Sequence, residues 1–139
     1  MAVRVRLRLR DPGGREVVCS AVLNGGFEVP EPHLLLPHRC AERILGDYRP
    51  SAVVQAMEAA GGEVNFFLAS SPVTGAVKTE DHEGREVSFR VLISDADHEV
   101  LVSDSGIDAL GIRIETFSPG HWRFVDQTLI RDSEPPQYW

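Results

Sequence analysis

Residues 3–10, Val3-Arg4-Val5-Arg6-Leu7-Arg8-Leu9-Arg10, alternate apolar and charged side chains without a fault. A period of two predicts a β-strand with one buried and one wet face. Asp11-Pro12-Gly13-Gly14 has the composition of a turn, and the Val-rich run 16–23 predicts a second strand, so the chain opens with a hairpin. Leu34-Leu35-Leu36 is a short apolar run of the kind that is buried. Pro37 then stands at a first helical position, and Cys40, Ala41, Ile44 and Leu45 have helical spacing up to a stop at Gly46. Further on, 73–79 and 86–93 flank the turn Asp81-His82-Glu83-Gly84 as another hairpin. Val100-Leu101-Val102 is a second apolar triplet, 106–110 suggests a short helix, and 112–115 and 121–125 alternate again. Trp122 and Phe124 are expected in the core rather than on a ligand surface.

Residues 51–60 support two readings. Ser51 can cap a helix that Gly61 ends, in keeping with the Ala, Met, Gln and Glu content. Alternatively 52–57 form a strand paired through Gly61-Gly62 with 64–68. The count of seven or more short strands with one or two short helices predicts a mostly β, closed or partly closed barrel. The domain is expected to span 1–125, followed by a loose polar tail over 126–139 that holds Pro135 and Pro136.

The chain's 139 residues suit one domain, and 42% apolar with 25% charged residues is ordinary for a globular protein. No apolar run reaches the ~20 residues of a membrane span, and the start of the chain lacks the apolar stretch of a secretory signal. The expectation is a cytoplasmic protein without membrane contact. Net charge is −7, yet residues 1–15 carry five arginines against one aspartate. The remainder is strongly acidic, which argues against nucleic acid as a partner because phosphate attraction needs a positive field. Arg4, Arg6, Arg8 and Arg10 share one strand face, either as a solvated, aggregation-blocking rail or as a dock for an acidic surface. Cys19 and Cys40 are expected as buried free thiols, with a bridge between them left open.

Two segments share one logic. In the first, an apolar strand runs into Asn24-Gly25-Gly26-Phe27, followed by Leu34-Leu35-Leu36-Pro37 and a helix. In the second, Val100-Leu101-Val102 runs into Ser103-Asp104, a short helix, and Leu110-Gly111-Ile112. Taken alone, Asn24-Gly25-Gly26 is equally a two-residue hairpin turn, because Asn-Gly accepts positive φ. As a pair, the two segments resemble the retropepsin-like aspartic proteases, in which Ala-apolar-apolar leads into Asp-Thr-Gly and a later apolar strand enters a glycine and a short helix.

The resemblance implies a small closed β-barrel and a homodimer with the cleft between two copies. It also favours a mobile flap over 51–68 with Gly61 and Gly62 at its tip. It breaks at the functional positions: Asn24 replaces the aspartate, Gly25 the threonine, and Ser103 the glycine. Two carboxylates sharing a proton supply both acid and base, whereas an amide supplies neither. The resemblance therefore implies a non-catalytic scaffold whose cleft, formed by Gly25, Gly26, Phe27, Ser103 and Asp104, holds a peptide or protein partner. A hydrolase of altered mechanism using Asp104, Asp95 or Asp97 is one alternative, and an unrelated small-molecule-binding β-barrel is the other. Asp95-Ala96-Asp97-His98-Glu99 lacks the glycine and distal glutamate of a calcium loop, and His33 and His38 are wrongly spaced for a metal pair. No metal and no cofactor is expected.

Overall fold

The arginine-alternating segment forms strand β1 (Arg4–Arg10), with Val3, Val5, Leu7 and Leu9 almost wholly buried and the arginines outside. This comes from a computed structural model that describes residues 2–139, the side chain of Ala59 excepted. A tight loop leads to the antiparallel β2 (Glu16–Leu23). There Asp11 Oδ1 accepts from the Arg15 N–H at 2.7 Å and Gly14 takes a φ of +91°. Next come β3 (His33–Pro37), helix α1 (His38–Leu45), and a 3₁₀ turn at Arg49–Ser51. The chain continues through β4 (Val53–Ala59), β5 (Gly62–Leu68), β6 (Val73–Val77), β7 (Val87–Ser94) and β8 (Val100–Val102). Helix α2 (Asp104–Ala109), β9 (Ile112–Thr116), β10 (His121–Phe124) and β11 (Arg131–Asp132) complete it.

The strands β3-β8-β2-β1-β6-β7 lie side by side, and β7 pairs back onto β3, closing a six-strand barrel. Closure removes the sheet edges that an open sheet would expose. Two pairings are parallel, β2 with β8 and β3 with β7, so β8 is threaded between two strands consecutive in sequence. The lumen is filled by Leu7, Leu9, Leu34, Leu36 and Phe89, each fully buried. Helix α1 lies against β2, β3 and β7 and buries Cys40, Ala41 and Ile44. Both cysteines are buried and free, and the hydrogen-bonded neighbour Cys40, together with burial, pushes the Cys19 thiol well above its ordinary range.

The region that reads either way in sequence is a hairpin, not a helix. Strand β4 pairs with β5 from Val53↔Leu68 to Ala59↔Gly62, which makes Ala60-Gly61 the tip. Gly62, with φ +115°, begins the return strand. In the sheet this hairpin joins the barrel through Phe67↔Ile93 and Leu68↔Leu92 of β7, leaving β4 as a free edge.

Helix α2 starts two residues earlier than its sequence pattern suggests, because Ser103 caps it. Trp122 and Phe124 are buried as expected, edge to face at 5.1 Å, in a small sheet of order β11-β10-β9.

Residues 126–139 are polar but not loose. Glu134 N–H donates to Arg4 O at 2.9 Å, Ser20 Oγ donates to Pro135 O at 2.8 Å, and Trp139 N–H donates to His98 O at 2.9 Å. The arginine rail is likewise occupied. Arg4 forks onto Glu99 at 2.7 and 3.1 Å, Arg8 meets Glu83 at 2.6 Å, and Arg6 and Arg10 reach Glu134 and Glu16 at 3.7 Å each. Its charge is answered by carboxylates of the same chain.

Arg131 pins the C-terminal strap to the barrel by two bonds to Asp81, at 2.7 and 3.2 Å. That contact, helped by the Thr79 hydroxyl, lowers the Asp81 carboxyl from 3.8 to about 2. A depressed carboxyl stabilises the fold fully above its unfolded value and loses that contribution as pH falls through the folded one. The tether should therefore be intact above about pH 4 and released towards pH 2. Carbonyl NMR titration should place the Asp81 midpoint near 2 and move it up towards 3.8 in Arg131→Gln; an unchanged midpoint would refute the pairing.

Candidate functional site

The parallel register Leu23↔Val102 brings the ends of β2 and β8 to one level. Asn24 and Ser103 therefore emerge side by side although 79 residues separate them in sequence. The two loops are laced together by backbone bonds. Asn24 N–H donates to Val102 O at 3.0 Å, Asp104 N–H to Phe27 O at 2.9 Å, and Ser103 N–H to His33 O at 3.1 Å. Ser103 is fully buried, and its Oγ accepts from the N–H groups of His33 at 3.0 Å and Gly106 at 3.1 Å. Asp104 Oδ1 accepts from Val29 N–H at 3.1 Å and Ser105 N–H at 2.7 Å, so that carboxylate clasps the 24–32 loop.

The Asn24 turn is not the hairpin turn that Asn-Gly commonly forms. Phe27 N–H closes it on Asn24 O at 3.0 Å, yet neither Asn24 nor Gly25 nor Gly26 has positive φ. A two-residue hairpin turn of that kind would require it. Asn24 Oδ1 accepts from Gly26 N–H at 3.1 Å. Its amide nitrogen has no partner among the described residues and is left to donate outward. Gly25 is exposed, with nothing within 4 Å of where a Cβ would stand.

Beside this turn lies a cleft of about 430 Å³. Its floor is a row of three leucines on adjacent strands: Leu101 of β8 opposite Leu35 of β3, and Leu35 opposite Leu92 of β7. Their neighbours in sequence, Leu34, Leu36, Val91, Ile93, Val100 and Val102, point into the barrel core. The leucines thus point outward, where a one-sided barrel would carry polar residues. They are covered by the β4–β5 hairpin, whose Met57 and Phe66 form the roof. Asn24, Phe27 and Glu28 close one side, and Glu58 and Ala60 stand at the hairpin end.

The sequence-predicted residues are therefore partly brought together. Asn24, Gly26 and Phe27 line the cleft, Ser103 and Asp104 buttress their loop from behind, and of the hairpin tip Ala60 reaches the lining whereas Gly25, Gly61 and Gly62 are not part of it. Asp95 and Asp97 do not join them. Asp95 sits by Arg49 at 3.5 Å and His38 at 3.9 Å, and Asp97 N–H caps onto Ser94 Oγ at 3.3 Å.

Sequence reasoning missed Leu35, Leu92, Leu101, Met57, Phe66, Glu28 and Glu58 as site residues. The signal for the floor was present in the unbroken triplets Leu34-Leu35-Leu36 and Val100-Leu101-Val102: a strand without alternation has both faces covered.

The chain matches no protein-family model and no curated protein. No helix among the described residues is long and apolar enough to cross a membrane.

Proposed function

We propose that this chain is a non-catalytic, retropepsin-like scaffold. It acts as a homodimer and holds an extended peptide or protein segment in the cleft between the β4–β5 hairpin and the Asn24 turn. The observation that carries this reading is the outward leucine row roofed by a hairpin, with an amide at its end where hydrolysis would need a carboxylate. A peptide backbone presents donors and acceptors in alternation, and the Asn24 side chain offers both. An ionised aspartate could only accept. The filled lumen leaves ligand space outside the barrel, and none of the three aspartates considered as substitutes is among the residues that line the cleft.

Two measurements test this. Sedimentation at tens of micromolar should give a dimer; a monomer would remove the support for the family. Freshly purified protein should show no pepsin-like cleavage of peptides from acid to neutral pH, because loss of a positioned general base alone costs roughly 100- to 10,000-fold. Asn-Gly is prone to deamidation, so fresh protein, aged protein and Asn24→Asp are compared, each with its mass checked. Cleavage by fresh, undeamidated protein that an aspartic-protease inhibitor blocks would overturn the non-catalytic reading.

A further inference from the structure

Twelve glutamates occur in the chain, and eight of them stand in ion pairs with arginine or histidine. Among the described residues, Glu28, Glu58, Glu63 and Glu80 do not. Two of these four line the cleft, and a third is paired with one of them. Glu28 and Glu58 line it from opposite elements, and Glu63 lies directly across from Glu58 in the hairpin register. All three are exposed. Like charges directly opposed on a strand pair destabilise it. Among the described residues no arginine, lysine or histidine lines the cleft to relieve them, in a chain that answers eight of its twelve glutamates with cations.

We infer that the cleft selects a cationic peptide, an extended segment that lays apolar side chains on Leu35, Leu92 and Leu101 and seats a lysine or arginine between Glu28 and Glu58. The apolar row supplies affinity without sequence direction, and the acidic end fixes register and charge. In a two-fold assembly the negative charge is doubled, which strengthens discrimination against acidic segments. This inference rests on the proposal that the cleft is a peptide site, and its test separates the two.

The probes are three fluorescent peptides with identical apolar residues and a central lysine, glutamine or glutamate, read by polarisation against the full-length protein. The lysine peptide is expected to bind about five- to tenfold more tightly than the glutamine peptide, the worth of one or two partly exposed ion pairs. The glutamate peptide should bind more weakly still, and the preference should shrink in 0.5 M salt, where the screening length falls to roughly 4 Å. Glu28→Gln with Glu58→Gln should abolish the preference, so that the lysine and glutamine peptides bind this variant with equal affinity. Both positions are exposed, so the variant keeps the fold.

Equal binding of lysine and glutamine peptides overturns the charge inference and leaves the cleft proposal standing. A lysine preference that survives the double variant places the recognition elsewhere and overturns it too. Failure of all three peptides to bind removes both.

Discussion

Replacing Phe89 with alanine is expected to lower the unfolding free energy by about 3–5 kcal/mol, the upper part of the range for large-to-small core changes. Phe89 is fully buried in β7, and its ring lies between two glycines. A Cβ at Gly75 of β6 would come within 2.9 Å of one ring edge, and a Cβ at Gly106 of α2 within 2.9 Å of the other. At both ring edges the neighbour is a glycine with no side chain to move into the void, and the cost depends on how far a site collapses. Urea unfolding with an unchanged slope would read the loss directly. Gly106→Ala alone should also destabilise, by about 1–3 kcal/mol, through overpacking. Combined with Phe89→Leu it should recover part of that loss, giving a coupling of opposite sign to simple addition. A Phe89→Ala loss below about 1.5 kcal/mol would show that the ring does not fill the lumen as described.

Ser103→Ala should cost about 2–4 kcal/mol, more than an ordinary helix cap. A cap at a wet helix end loses one bond that water replaces. Here the hydroxyl oxygen is buried and accepts from two N–H groups on different elements, His33 at the start of β3 and Gly106 in α2. Each donor left unsatisfied away from water costs about 1–3 kcal/mol. Because β3 carries Leu35 and the 24–32 loop ends at His33, peptide binding should weaken along with stability. Wild-type stability in this variant would mean that the serine is not what joins the two loops.

The strands with one wet face were readable. Arg4 to Arg10 alternate because water lies on one side of β1, and the turn chemistry at Asp11 and Gly14 fixes the hairpin. The paired logic of Asn24 and Ser103 was also visible, and the parallel register of β2 and β8 places them together.

Other features depended on partners distant in sequence. Local propensity pulls 51–60 towards helix. What holds it as a strand is cross-strand pairing of Gln55 with Phe66 and Met57 with Val64, over a leucine floor contributed by three other strands. The polar tail is ordered by bonds from its backbone to the backbone of Arg4 and His98 and to the Ser20 hydroxyl, which composition does not report. The arginine rail could be placed on one face but not neutralised, because its glutamates come from β2, the 78–86 loop, the β7–β8 turn and the tail. A triplet of leucines shows that both faces are covered, not by what.

The threading of β8 between β2 and β3 constrains the order in which this chain can fold as it is synthesised. Strand β1 can pair with β2 at once, but β3 has no partner until β7 and β8 exist. From Pro37 to Val102 the ribosome needs on the order of several seconds at roughly 5–20 residues per second. Until β7 is made the whole of Leu34-Leu35-Leu36 stays unpaired, and the far edge of β2 stays so until β8 follows. Non-local parallel pairing is intrinsically slow, and exposed strand edges invite association. A nascent chain stalled near residue 86 should therefore be the form of this sequence that aggregates or is captured by chaperones. One extended beyond Val102 and clear of the exit tunnel should resist both, because only then can the ring of six strands shut.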